Sequence, residues 1–284
     1  MDIVVNQSNE LWKSDGSNWK LATDVPELVY SRNITTSFRI TTDGRLYDAY
    51  HNQYTKFNDC QDQRDFKFVL TDSSLCGVLF ALKNNGDLYT GDLHHDAYDE
   101  ISINNFKLID TEVEWITTGS NDWDDMISIK GKTITVYLAG EFNKTLNLAD
   151  DEIVVDVYPG VVVTNTRFIT DNVSVNRKDI LVRRSHEVCN TIGCGVRINH
   201  KTEHYLITVE EIDNRVIIDF TDLTNSLTES SYIRSEVKWI DVIMINNMPC
   251  LLSEEGHTVE LFPDNRVVET KIPTHILRNN SKLF

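Results

Sequence analysis

Histidine and cysteine come closest together in one stretch, His186-x-x-Cys189-x4-Cys194-x5-His200. Zinc would need four such ligands converging tetrahedrally, and these could span one loop and the start of a strand. The spacing is not that of a standard zinc knuckle and nothing else in the chain repeats it, so buried thiols and surface histidines are the expected outcome. His94-His95-Asp96 could supply a metal ligand or a general base, since histidine titrates near neutrality. No motif couples a nucleophile to it, and it reads as loop. No Ser-His-Asp signature, phosphate-cradling glycine loop or nucleotide fingerprint is present. The expectation is a chain without a catalytic, cofactor or metal site.

Carboxylates crowd in two runs. In Asp122-Trp123-Asp124-Asp125 an aromatic sits among three acids, which suits a dock for Lys or Arg side chains with Trp123 as the apolar anchor. The bland alternative is a solvated loop between strands, but an exposed Trp among acids is not needed for folding. These four residues are the candidate partner-binding site. Asp150-Asp151-Glu152 leads straight into an apolar stretch and reads as a turn cap. Neither run has the alternating oxygens and central glycine of a calcium loop. Trp115 and Trp239, in Glu-Trp-Ile and Lys-Trp-Ile, occupy equivalent positions and read as packing residues rather than as a ligand cage.

The elements that would carry these residues repeat. The clearest copies are Phe38 to Tyr47 and Leu79 to Tyr89, where Asp-Gly or Asn-Gly supplies the positive φ of a tight hairpin turn between alternating strands. Weaker copies lie at Ile3 to Trp12, Met126 to Val136, Phe168 to Val175, Leu206 to Ile218 and Cys250 to Leu261. With Asn9, Gly44, Gly86, Gly131, Asn172, Asn214 and Gly256 as turn markers, the steps are 35, 42, 45, 41, 42 and 42 residues. That is the period of a four-stranded propeller blade.

Further apolar stretches precede most hairpins, at Leu28 to Tyr30, Phe66 to Leu70, Val113 to Ile116, Ile153 to Val157 and Val237 to Val242, and read as innermost strands. Thr274 to Leu277 is one more, with no hairpin after it. Its match is the hairpin at Ile3 to Trp12, so the two chain ends are expected to share one blade and close the ring. Helical signals are poor, the best being Thr221 to Leu227. The expectation is an all-β chain, residues 1–284 forming one seven-bladed β-propeller closed by pairing of N- and C-terminal strands.

With 44 acidic and 27 basic residues the formal charge is −17, which repels nucleic-acid backbone and anionic membrane and favours a basic protein partner. No stretch has the length and apolarity of a signal peptide or membrane helix, and five widely spread cysteines suit reduced thiols, so a cytoplasmic location is expected.

Leu79 to Asp92, Leu-Phe-Ala-Leu-Lys-Asn-Asn-Gly-Asp-Leu-Tyr-Thr-Gly-Asp, resembles the repeat of the regulator of chromosome condensation propeller family, supported by Thr41 to Tyr47 and Glu254 to Val259. The glycine-rich segment that follows the hairpin in that family is missing, since the whole chain has 12 glycines. Asn9 to Trp19 is similar to a tectonin-type repeat, another propeller of similar period. The first resemblance implies either nucleotide exchange on a small GTPase or the holding of partners, and no exchange-loop residue is matched. The reading is a non-enzymatic scaffold for protein–protein interaction; the alternatives are a guanine-nucleotide exchange factor and a structural subunit of a larger assembly, such as a viral one.

Overall fold

The computed structural model describes residues 2–5, 10–15, 18–29, 38–59, 63–71, 77–95, 101–119, 125–158, 160–171, 174–176, 190–198, 201–212, 215–222, 228–234, 239–245, 248–253, 257–261 and 267–271. For 2–5 and from 190 onward the description is of backbone course and pairing. The described residues are all β, with no helix among them.

Among the described residues, twenty-seven strands fall into seven sheets, six of them plain meanders of consecutive strands and one a meander with a further parallel strand at its outer edge. Sheet I holds β1 (Asp2–Val5), β2 (Leu11–Ser14) and β3 (Trp19–Leu21). Sheet II holds β4 (Phe38–Ile40), β5 (Leu46–Asp48) and β6 (Gln53–Tyr54). Its inner position is taken by a short extended segment, where Val29 N–H donates to the Ile40 carbonyl (2.7 Å) and Thr42 N–H to that of Glu27 (2.9 Å). Sheet III runs β8 (Phe66–Thr71), β9 (Val78–Lys83), β10 (Leu88–His95) and β11 (Ile101–Asp110), with β7 (Lys56–Phe57) added parallel along β11.

The remaining four sheets have four antiparallel strands each. Sheet IV is β12 (Trp115–Thr118), β13 (Met126–Lys130), β14 (Thr133–Leu138) and β15 (Glu141–Asn147). Sheet V is β16 (Val154–Tyr158), β17 (Val161–Thr164), β18 (Arg167–Ile169) and β19 (Ser174–Asn176). Sheet VI is β20 (Asn190–Ile198), β21 (Lys201–Ile212), β22 (Arg215–Asp222) and β23 (Thr228–Arg234). Sheet VII is β24 (Trp239–Ile245), β25 (Met248–Ser253), β26 (His257–Leu261) and β27 (Val267–Lys271).

Each sheet packs on the next in chain order, and strand alternation makes this possible. Successive side chains point to opposite faces. On β9, Leu79 and Ala81 join Phe38 and Leu46 of sheet II, while Phe80 and Leu82 join Ile116, Met126 and Tyr137 of sheet IV. On β13, Met126 faces sheet III, whereas Ile127 and Ile129 meet Val162 and Ile169 of sheet V. Leu11 of sheet I packs with Tyr47 and Ala49 of sheet II. Further on, β16 and β17 lie against β20, and β20 against β25. A sheet covered on both faces gains on the order of 1.5–3 kcal/mol for each large apolar side chain so buried.

A second device repeats at the seams. The turn glycine of one sheet touches the lead-in to the next: Phe66 N–H donates to the Gly44 carbonyl (3.2 Å) and Val113 N–H to that of Gly86 (2.9 Å). Gly44 has φ +78° and Gly86 φ +88°, and the residues they meet, Asp65 and Glu112, are themselves left-handed at φ 66° and 60°. A Cβ on Gly44 would lie 2.8 Å from Asp65 N, and one on Gly86 3.1 Å from the Glu112 Cα. Glycine is required here for conformation and for close approach together. Three inner strands also share a bulge near their start, at Phe66/Phe68, Val154/Asp156 and Trp239/Asp241.

The fifth turn marker is corrected. The hairpin turn equivalent to those at Gly44, Gly86 and Gly131 lies between β17 and β18, at Asn165-Thr166, and position 172 falls one hairpin later, outside the described residues. The β17–β18 turn needs no glycine because the Thr164 hydroxyl accepts hydrogen bonds from the backbone N–H of Thr166 (3.2 Å) and Arg167 (2.8 Å). Asn9, Asn214 and Gly256 lie between paired strands but outside the described residues, as does the Thr274 to Leu277 stretch. Thr221-Asp222, at the start of the best helical signal, belongs to β22.

Gly44→Ala and Gly86→Ala should each lower unfolding free energy by roughly 2–3 kcal/mol, combining left-handed strain with backbone crowding. Gly131→Ala has φ +55° but nothing within 4 Å of its Cβ, so it should cost only about 1 kcal/mol. Urea midpoints of the three variants check this; equal losses at all three positions would contradict the seam contact.

Candidate functional site

The acidic run leaves sheet IV at a pinched neck. Gly119 N–H donates to the Asp125 carbonyl (2.7 Å), and a Cβ on Gly119 would lie 2.4 Å from that of Asp125. Asp122, Trp123 and Asp124, which stand between these two in the sequence, lie outside the described residues. Asp125 is inside them and is buried, directly ahead of β13. Of the four residues assigned to partner binding, Asp125 therefore stands in the sheet's foundation rather than on an open surface.

The second acidic run divides in the same way. Glu152 is buried and organises the β17–β18 turn. Its carboxylate accepts from Thr164 Oγ1 (2.6 Å), Thr166 Oγ1 (2.9 Å), Arg167 Nε (2.9 Å) and Arg167 Nη2 (2.6 Å). The backbone N–H of Ala149 adds a longer bond at 3.3 Å. These donors, Arg167 foremost, hold the Glu152 pKa down to about 2. Across the seam, Lys132 Nζ donates to the carbonyls of Ala149 (3.3 Å), Asp150 (3.1 Å) and Glu152, while Leu148 N–H donates to the Lys132 carbonyl (2.8 Å). The expected turn cap is therefore a seam clamp between sheets IV and V.

At the III–IV seam, burial first and then Asp110 push Tyr137 up to about 12. Lys130 sits 3.3 Å from Glu112 and 3.5 Å from Asp110, and its hydrogen bond to Glu112 is the main cause of its raised pKa. Trp115 packs across the same seam, with its ring 4.3 Å from that of Phe68 and Lys67 Nζ 5.7 Å above it. This is the inter-sheet packing expected of it. The side chain of Trp239, its counterpart at the start of β24, lies outside the description.

The His/Cys stretch does not assemble within the described residues. Cys194 lies in the middle of β20, opposite Tyr205, while His186, Cys189 and His200 lie outside. No group of three or more His, Cys, Asp or Glu side chains that could hold a metal occurs among the described residues. His94 and His95 are not loop but the end of β10, opposite Ser102 and Ile101; Asp96 lies outside. The β20 strand itself has Ile192, Cys194, Val196 and Ile198 at alternate positions, a strand period.

No protein-family model matches the chain, and no curated protein does. Among solved structures, it is similar to BamB from Moraxella catarrhalis at 9% identity and a TM-score of 0.39, over 95% of this chain and 85% of that one. It is also similar to BBS1N, solved in complex with ARL6DN, at 12% identity and a TM-score of 0.32, over 73% and 71% of the two chains. The architecture accordingly rests on the strand pairing and packing of this chain itself.

The pH dependence follows from Glu152. A carboxylate with a depressed folded-state pKa contributes stability that is fully present above its ordinary value of 4.5 and is lost as pH falls towards 2. Glu152→Gln should cost roughly 2–3 kcal/mol at neutral pH, below the full loss of a buried pair because Arg167 is partly exposed. It should also flatten the acid limb over that interval. Urea unfolding at a series of acidic pH values checks both, and an unchanged acid limb would show that the clamp does not hold the seam.

Proposed function

We propose that the chain is a closed seven-bladed β-propeller that acts as a non-catalytic, cytoplasmic scaffold, docking a partner protein with a basic surface. The observation that carries the architecture is that sheets II, III and IV each pack, on alternate residues of the same strands, against the sheet before and the sheet after them. Stacking continued through seven sheets in chain order leaves a first and a last sheet that each lack a neighbour on one face unless they meet. Sheet I supports closure: among the described residues it is without the inner strand that sheets III to VII have, and β1 is paired on one side only. The stretch Thr274 to Leu277 is the strand that would fill that edge.

The partner reading rests on charge. A molecule of net −17 attracts cationic surfaces at long range, and Asp122, Trp123 and Asp124 stand in the sequence between Gly119 and Asp125, whose backbones are hydrogen-bonded to each other. No cofactor, nucleic acid or membrane is assigned. A scaffold of this kind works by presenting loops from a rigid ring.

Deleting residues 272–284 should expose a sheet edge, reduce solubility and lower the melting temperature by several degrees. A truncated protein that melts like the intact chain would remove the closure. For the binding surface, affinity purification from the native source supplies the partner. Asp122→Asn with Asp124→Asn should then slow association in a salt-dependent way. Trp123→Ala should mainly speed dissociation, with a loss of about 2 kcal/mol if it is a central anchor. Unchanged rates in both variants would move the interface elsewhere on the ring.

A further inference from the structure

Four hairpin turns stand at equivalent places in sheets II to V, and they set different chemistry there. In sheet II the residue before the turn glycine is Asp43, whose carboxylate accepts from Thr41 Oγ1 and from Arg45 Nε (2.7 Å). The Thr41 bond, ahead of Arg45, holds its pKa below the usual carboxylate range, and an ionised carboxylate is a poor electrophile. In sheet IV the turn glycine, Gly131, stands between two lysines. In sheet V Asn165 is followed by the β-branched Thr166, and its amide is tied at both ends, with Ile153 N–H donating to Oδ1 (3.0 Å) and Nδ2 to the Asp151 carbonyl (3.1 Å).

Of these four turns, the one in sheet III alone joins an asparagine to a glycine, and Asn-Gly occurs nowhere else in the chain. Asn85 is exposed. Its carboxamide is a neutral electrophile, and Gly86, without a side chain, leaves its backbone nitrogen open to reach it. Asp87 N–H donates to Asn85 Oδ1 (3.0 Å), where negative charge would develop during attack, and Asn85 Nδ2 donates to Asp87 Oδ2 (2.7 Å). The brake lies in the backbone. Gly86 N–H donates to the Lys83 carbonyl (3.0 Å), while the Gly86 carbonyl takes the N–H of Val113 that starts sheet IV. The nucleophile is released only when this turn opens.

We propose that Asn85 deamidates spontaneously, at a rate set by opening of the turn, and that the product leaves the joint between sheets III and IV weakened. The Gly86 nitrogen gives its proton to hydroxide and its electron pair forms a bond to Asn85 Cγ. The Cγ–Nδ2 bond then breaks, and the departing nitrogen takes a proton from water and leaves as ammonia. Water opens the cyclic imide at either carbonyl. Cleavage of the new N–Cγ bond yields aspartate at position 85; cleavage of the original peptide bond yields isoaspartate, whose backbone runs through the former side chain. Nothing is oxidised or reduced: water is consumed and ammonia released. Either product sets a second carboxylate against that of Asp87 in place of the Nδ2 bond. Isoaspartate also lengthens the chain just where Gly86 must fit closely against Glu112.

The test incubates the intact chain at mildly alkaline pH beside the same chain held unfolded in urea, and follows the tryptic peptide Asn84 to Lys107 by fragmentation mass spectrometry. In the folded chain Asn85 should convert ahead of every other asparagine, and about tenfold or more slowly than in the unfolded one. The converted protein, separated by its added negative charge on anion exchange, should unfold at a lower urea concentration than the parent. Asn85→Gln should keep its original charge over the same period. Conversion of another asparagine first, equal rates in the folded and unfolded chains, or no conversion in the folded chain over weeks overturns the proposal. So does a charge gain that persists in Asn85→Gln, or a converted protein that unfolds at the urea midpoint of the parent.

Discussion

A β-strand that is apolar on both faces cannot lie at a surface, and that constraint governs this molecule. In β9, Leu79, Phe80, Ala81 and Leu82 are all buried; in β17, Val161, Val162 and Val163 are. Such strands must sit in a sheet with a neighbour on either side. Repeated sheet by sheet, the requirement generates a stack in chain order, and the proposed closure would give its two end sheets the neighbour each lacks.

The seams between sheets are as specific as the faces. Sheets II and III, and III and IV, are joined by a left-handed turn glycine whose carbonyl receives the N–H that starts the next sheet. Sheets IV and V are joined by a different chemistry, with Lys132 reaching three carbonyls and Glu152 gripping Arg167. Both solutions do the same job, satisfying backbone groups that would otherwise be stranded where two sheets abut. In the second acidic run, the Glu152 cluster shows the last member consumed by the fold.

Much of this was legible in residue order. Gly44, Gly86 and Gly131 mark true turns because positive φ leaves a compositional trace, and Phe66 to Leu70 or Val78 to Lys83 could be read as strands from length and apolarity. The turn at Asn165 leaves no such trace, because a threonine hydroxyl takes the place of the glycine, and Asn172 is the turn-type residue that stands out in the pattern instead. Outer strands such as β11 and β15 were not read, since their solvated positions dilute the pattern. Of the candidate site, only Asp125 falls within the described residues, and its burial depends on a contact with Gly119 that no spacing rule encodes.

The account's central claim is that face-to-face stacking runs through all seven sheets and closes. Val5 on β1 and Ser253 on β25 end equivalent strands in sheets I and VII, as Lys83 on β9 and Lys130 on β13 do in the adjoining sheets III and IV. Spin labels placed at each pair, in a background with the native cysteines replaced, measure both separations by pulsed electron resonance. A closed ring predicts closely similar distances for the two pairs; a Val5–Ser253 separation several times the other, or a broad spread of distances for that pair alone, would show that the stack is open.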